Sequence, residues 1–450
     1  MTQAQQAAGT LDPAFDMNGV VTLPFGDVVG SIPAAVLALP DNKLLVAVAT
    51  TKPQNAPAKI ARLEEDGSLD HTFGIQGIVE IPFDNGTWFS PRHLHPLTNE
   101  GWLITGTAER ETEPDRVDMA VVRQLKDGTL DTTFGKDGKV TLNINDLIGP
   151  SSGARILTHR HDKKGDDKLA ESAGGVGATA IAKQDGKIVL VSTVLFEFNN
   201  LKGIVIRLNK DGSLDTSFNL KGFLLVKLPG IEHVWNQASG VAVQQDGKVL
   251  VCGDFSRERS GERPGAYVIR YDQDGYVDAG YGDNKNGVVT IIDSSRWLNL
   301  GSMALKSDGG VVAMGSAESD RRREGLIASL NPSGSFNLVF NNGKPLFSNL
   351  TEHGVSWQCC VLQTDGKLVV SGQGGGVYVD ENSSVVTARY APDGSLDVEF
   401  AGKGWAVIND ESGIDLFRGG TAMADNRVVV SGYVAFGPMP PPGYVVRYLA

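Results

Sequence analysis

The sequence predicts an all-β chain folded as a seven-bladed β-propeller of four-stranded antiparallel blades, and three observations predict it. A corner motif, Asp211-Gly212-Ser213-Leu214-Asp215-Thr216-Ser217-Phe218, is rewritten at Asp66 (DGSLDHTFG), Asp127 (DGTLDTTFG), Asp274 (DGYVDAGYG) and Asp393 (DGSLDVEF), truncated at Gly9 (GTLDPAF) and degenerate at Ser333 (SGSFNLVF). Its glycine falls at 9, 67, 128, 212, 275, 334 and 394, in steps of 58, 61, 84, 63, 59 and 60, and such a period means a repeat architecture. Second, tight turns between apolar runs recur at Asp41-Asn42, Asn99-Glu100, Asp185-Gly186, Asp246-Gly247, Asp308-Gly309, Asp365-Gly366 and Asp425-Asn426, a strong hairpin signal. Third, no segment of helical length carries a 3.6-residue period.

Each period repeats one grammar, and the fourth shows it. Gly240 to Gln245 is a first strand of small residues, Asp246-Gly247 turns, and Lys248 to Cys252 is a bulkier second strand. A variable loop, Asp254 to Pro264, leads to a third strand, Ala266 to Tyr271; the corner and a fourth strand, Gly287 to Ile292, follow. The chain stops on a third strand, Tyr444 to Tyr448, and starts with a corner and a fourth strand, Gly19 to Leu23. The two fragments sum to one blade, so an N-terminal outer strand is expected to complete the C-terminal blade and remove the open edges. Residues 1–450 are read as one propeller domain with a loop insertion at about 145–176, where the step lengthens to 84.

The first strands, rich in Ala and Gly (Ala34-Ala35, Ala178 to Ala182), suit the crowded innermost position. An Arg on the third strand recurs with the second Asp of the corner: Arg62 with Asp70, Arg123 with Asp131, Arg207 with Asp215, Arg270 with Asp278, Arg389 with Asp397 and Arg447 with Asp12. These read as a repeated, partly buried structural ion pair, the Asp also capping turn N–H groups. In the fifth period Ser329 and Asn337 replace both partners together, as expected if losing one would strand the other.

The combination DGSLDxxFG, GxV, DGKxxV and xxRL, spread over nearly the whole chain, resembles the delta-60 repeat family of predicted bacterial β-propellers. The resemblance implies a propeller. It implies no common reaction and no shared catalytic residues.

Composition narrows the partners. With 41% hydrophobic and 21% charged residues the chain has an ordinary globular make-up, and its 55 glycines match frequent turns. The net charge is −12 and the longest basic run is Arg321-Arg322-Arg323, which argues against nucleic acid or an anionic membrane. Three cysteines, Cys252, Cys359 and Cys360, make no disulfide framework and read as small core residues. The first residues carry neither a basic stretch nor an apolar one of secretory type, and no apolar run approaches a membrane span. The expected location is the cytoplasm, with export without a cleaved N-terminal signal as the alternative.

Hairpin turns and corners share one face of the ring and are nearly uniform. The connections from second to third and from fourth to first strands share the other, and vary, which marks that face as the functional side. Trp88, Trp235, Trp297 and Trp357, with Phe417 in the last blade, precede inner strands and form the candidate binding rim, or else plug the gaps between blades. Arg92, His93 and His95 are candidates for the channel mouth and wall, the two imidazoles sharing a strand face. Two imidazoles do not make a metal site, and the corner lacks the ligand spacing of a calcium loop, so no metal and no cofactor is expected. Gly372 to Gly376 reads as a flexible loop. No nucleophile elbow, phosphate loop or zinc helix motif is present, and no catalytic residue is assigned. Carboxylates that the strand order places on the variable face are Glu109, Glu111, Glu113, Asp115, Glu258, Glu262, Asp320 and Glu324.

The sequence therefore reads as a non-enzymatic, monomeric platform binding a protein partner or a glycan through the variable face around the channel. One alternative is a carbohydrate-active hydrolase or lyase with acidic residues at the channel mouth. The other is a structural module of a secreted or toxin-associated assembly.

Overall fold

In a computed structural model the chain forms seven small antiparallel sheets arranged as a ring, a seven-bladed propeller. The structure describes residues 7–25, 30–49, 57–84, 86–97, 101–157, 176–182, 184–196, 200–257, 262–320, 322–376, 381–409, 413–436 and 441–450. Blade 1 runs Ile32–Ala38, Leu44–Ala49, Ala58–Leu63 and Ile78–Ile81 from inside to outside, and the other blades repeat that order. In blades 3 and 4 the inner strand is broken into two pieces, Arg155–Ile156 with Val176–Ile181, and Trp235–Asn236 with Gly240–Val243.

Blade 7 closes the ring. Its strands are Ile414–Ala422, Val428–Ala435 and Gly443–Tyr448, and Val20–Leu23 supplies the outermost, with Val20 opposite Val446 and Leu23 opposite Gly443. The start of the expected insertion is partly ordered: Asn143 caps a short helix, Ile144–Ile148, and Arg155–Ile156 pairs with Val194 and Leu195. Positions 158–175, which hold His159 to Asp167, lie outside the described residues.

Why blades stay together is visible at the corners. Arg207 Nε sits 2.6 Å from Asp215 Oδ2, and its guanidinium lies 4.5 Å from the centre of the Phe218 ring. Its Nη1 donates to the carbonyl of Gln273, in the next blade's corner. The same three contacts are made by Arg62 (Asp70, Phe73, Lys126 carbonyl), Arg123 (Asp131, Phe134, Lys210 carbonyl), Arg270 (Asp278, Tyr281, Pro332 carbonyl) and Arg447 (Asp12, Phe15, Glu65 carbonyl). Arg389 makes the first two, with Asp397 and Phe400. Read from sequence, the pair is internal to a blade; in the fold it is also a joint between blades.

The corner glycine is the other half of that joint. Gly212 holds φ near 88°, and a Cβ there would come within 2.9 Å of the Phe134 ring of the preceding blade. Gly9 does the same against Phe400 across the ring closure. The glycine period is thus the period of blade-to-blade contact.

A hairpin cation reinforces each Asp where one is present: Lys43 to Asp70 at 2.7 Å, Lys187 to Asp215 at 2.9 Å, Lys367 to Asp397 at 2.9 Å. Asp70 Oδ1 also accepts from the Thr72 N–H, the turn cap expected from sequence. Blade 5 lacks the guanidinium: Ser329 and Asn337 face the joint, which keeps Phe340 against Gly394 and the Asn341 N–H to Asp393 carbonyl bond.

One loop expectation is corrected. Gly372 to Gly374 belong to the buried second strand of blade 6, Leu368–Gly374. Gln373 there donates to the Ser384 and Asp415 carbonyls and accepts from the Phe417 N–H, tying blade 6 to blade 7. Glycine density in this stretch reflects close packing, since a Cβ at Gly372 would meet the Ser356 carbonyl oxygen at 2.0 Å.

Candidate functional site

Each inner strand carries an irregularity at one place. Register shifts occur between Pro33 and Ala35, Pro91 and His93, Val176 and Thr179, Leu300 and Ser302, Trp357 and Cys359, and Phe417 and Gly419; blade 4 breaks its strand at the same level. The residue at that level stands eight positions before the second residue of the hairpin turn in every blade: Ala34, Arg92, Ala178, Ser239, Gly301, Gln358 and Arg418. A β-bulge re-aims a side chain away from the regular pleat. Here all seven face one axial cavity of about 510 Å³, a size that holds a small ligand.

The wall above that ring comes from the variable face. Glu318 ends the second strand of blade 5 and Arg323 begins its third, and their side chains pair at 2.9 Å in the cavity wall. Asn299, Ser316, Ser356, Trp357 and Phe417 also belong to it, and among the described residues none of the hairpin turns contributes. The cavity therefore belongs to the side where connections vary.

Arg92, His93 and His95 all line it. The two imidazole centres are 6.1 Å apart, and burial, together with the neighbouring Arg92 and His93 respectively, pushes His93 down to about 4 and His95 down to about 3. Both are neutral at pH 7. Among the described residues no group of three or more His, Cys, Asp or Glu side chains gathers as a metal site.

The aromatic candidates, read from sequence as a binding rim or as plugs between blades, divide into two groups. Trp357 and Phe417 precede the bulge by one residue and touch the cavity; both are buried, with Trp357 packed on Gly325 between blades. Trp88, Trp235 and Trp297 precede it by four and do not line the cavity. Trp297 is 37% exposed and lies under Arg263, whose guanidinium is 5.6 Å from its ring. The spacing to the turn already held this difference, 9 residues against 12.

The described carboxylates among those expected on the variable face do not reach the cavity. Glu113, Glu262, Asp320 and Glu324 pair with Arg116, Arg257, Arg263 and Arg296, and none of them, nor Glu109 or Glu111, lines the cavity. Glu258 and the side chain of Asp115 lie outside what is described. Among the described residues, the carboxylate in the wall is that of Glu318. Behind it Asp254, fully buried, accepts from Asn299 Nδ2 at 2.9 Å; burial, and less so the charge of Glu318, pushes its carboxyl up to about 7.

Sequence reading missed Arg418, although it shares with Arg92 the eight-residue offset from the turn. Its Nη2 donates to Tyr433 Oη at 3.1 Å and its guanidinium lies 4.8 Å from that ring. Arg92 and Arg418 flank Ala34, and their charges repel. Cys359 also reaches the cavity, with burial pushing its thiol up to about 11, so it is not a reactive thiolate.

Four segments, residues 39–73, 183–218, 244–281 and 363–400, match the family model described as a domain of unknown function (DUF5122) beta-propeller. The chain is built of β-propeller repeats. The matched stretches hold the hairpin, the second and third strands and the corner of blades 1, 3, 4 and 6, the parts that make the interblade joint. Among curated proteins none matches the chain.

Solved structures similar to it include a protein of unknown function from Dyadobacter fermentans, at 13% identity and TM-score 0.45, covering 80% of this chain and 95% of that one. Chaetomium thermophilum Sqt1, bound to the N-terminus of ribosomal protein L10, is similar at 14% identity and TM-score 0.45, covering 94% and 98%. A gluconolactonase from Xanthomonas campestris is similar at 12% identity and TM-score 0.32, covering 83% and 97%. At such identities these likenesses carry nothing about ligand or activity. Among the described residues no helix is long and apolar enough to cross a membrane.

Proposed function

We propose that the protein is a non-enzymatic binding module that takes a glycan, or a side chain of a protein partner, into the axial cavity from the variable face. The observation that carries the reading is the ring of seven bulged residues, one per blade, directed at one cavity of ligand size. Cavity dimensions and polar walls suit a group of one or two sugar rings better than an extended peptide strand. A glycan array and a pull-down on the full chain test this, with Gly301→Trp as control. A Cβ at Gly301 meets only the Asn299 amide oxygen at 3.6 Å, so an indole there fills the cavity with little strain. Loss of binding in that variant, with an unchanged fold, supports the reading; retained binding overturns it.

A carbohydrate-active hydrolase or lyase is the second reading, favoured by the neighbouring pair Asp254 and Glu318, an acid raised toward neutral pH beside a carboxylate in the cavity wall. Release of reducing ends from an array glycan, abolished by Glu318→Gln, decides for it; binding without turnover decides against.

A further inference from the structure

The cavity wall holds three arginines, Arg92, Arg323 and Arg418, against one carboxylate, Glu318, in a chain of net charge −12. Glu318 is committed to Arg323. Arg92 and Arg418 occupy the same bulge position in blades 2 and 7, and the intervening blade 1 carries Ala34 there. Nε of each is buried without a hydrogen-bond partner. Burial and the Arg418 charge together hold the Arg92 guanidinium below its ordinary value, and both outweigh the attraction of Glu109. Two like charges in one cavity, one of them desolvated, raise the free energy of the protein, and an anion between them lowers it. The imidazoles beside them are neutral, so the positive field of this wall comes from the guanidiniums.

We propose that Arg92 and Arg418 clamp an oxyanion, the carboxylate or phosphate group of a small polar ligand, in the axial cavity. This rests on the reading of the cavity as the ligand site. Guanidinium forks match the planar oxygens of either group and bind them through charge-assisted hydrogen bonds. The other five blades carry Ala34, Ala178, Ser239, Gly301 and Gln358 at the bulge, which leaves one side of the bulge ring cationic and the rest of that ring small or amide-bearing. A ligand with one anionic end and a neutral polar body fits that division.

The experiment is calorimetric titration of the full chain with sodium glucuronate, inorganic phosphate and glucose, on the wild type, Arg92→Gln, Arg418→Gln and Gly301→Trp, with melting curves on each. One or both anions are expected to bind the wild type, glucose not to depend on the arginines, and each arginine variant to bind the anion about tenfold or more weakly. Without anion the arginine variants are expected to melt at or above the wild type, because the repulsion is gone; a merely structural arginine would melt lower. Glucuronate alone marks a carboxylate ligand and phosphate alone a phosphorylated one, and either supports the clamp. No anion binding, or binding equal in the arginine variants, overturns the clamp and leaves the cavity reading standing. Array glycans still bound by Gly301→Trp overturn the cavity reading itself.

Discussion

Asp12 Oδ2 lies 2.8 Å from Nε of Arg447, 435 positions later in the chain. Burial alone would raise the Asp12 carboxyl, but the Ala14 N–H and the charges of Arg447 and Arg427 hold it below the ordinary carboxylate value. The contact repeats at the ring closure what Arg207 and Asp215 do eight positions apart. Closure is therefore one more copy of the standard joint.

Removing residues 1–25 takes away both the outer strand Val20–Leu23 and Asp12. Arg447, fully buried, would lose its carboxylate, and the edge Gly443–Tyr448 would lie open. The truncated chain is expected to aggregate and to melt well below the wild type, read by light scattering and calorimetry. A monomeric truncation of unchanged stability would sink the closure account.

Replacing Arg207 by Ala leaves Asp215 buried and frees the Gln273 carbonyl. Lys187 stays 2.9 Å from Asp215, so the expected cost is about 3 kcal/mol in urea unfolding. Ser329→Ala, at the same register in the blade without the pair, is expected to cost less than about 1 kcal/mol. Equal costs at the two sites would show that the pair does not hold the joint.

Two classes of carboxyl give opposite pH slopes. Asp12, Asp70, Asp131, Asp215, Asp278 and Asp397 sit below the ordinary value, so their contribution is present above about pH 4 and lost as the pH falls further. Asp254 is raised to about 7, so the folded state binds the extra proton and stability declines as pH rises from about 4 to 7. Asp254→Asn keeps an acceptor for Asn299 and cannot ionise. Its melting midpoint relative to wild type is expected to climb between pH 4 and 7 and then level; a constant difference would place the Asp254 titration elsewhere.

His93 and His95, pushed down to about 4 and 3, work in the other direction. Their contribution is full above about pH 6.5 and is lost as the pH falls toward their folded values. In His95→Gln the midpoint is expected to fall less than in wild type between pH 6.5 and 4. An identical acid profile would refute it.

The buried Trp357 and the exposed Trp297 should differ sharply. Trp357→Ala opens space between blades 5 and 6 at about 3–5 kcal/mol, whereas Trp297→Ala should stay within about 1 kcal/mol. Chemical denaturation of both variants checks this, and similar losses would mean the two positions are equivalent after all.

The local grammar was legible because its physics is local. Asp-Gly turns, alternating strands and the Arg–Asp pairs, the ring-closing Asp12–Arg447 pair excepted, follow from residues within ten positions, and their repetition determined blade number and strand order. The site was legible only in part. Arg92, His93 and His95 could be placed on an inner strand, but the roles of Trp88 and Trp357 depend on their distance from a bulge that both strands share, four residues against one, and that level is set by the pairing of strands.

By itself, then, the sequence determined a ring of seven like units and the pairing of its two ends. Only the tertiary structure decided which side chains share the axis. Seven bulges converge there from residues up to 384 positions apart, between Ala34 and Arg418. The reason is geometric: a repeat specifies contacts with its nearest neighbours, whereas a central cavity is a property of all seven at once.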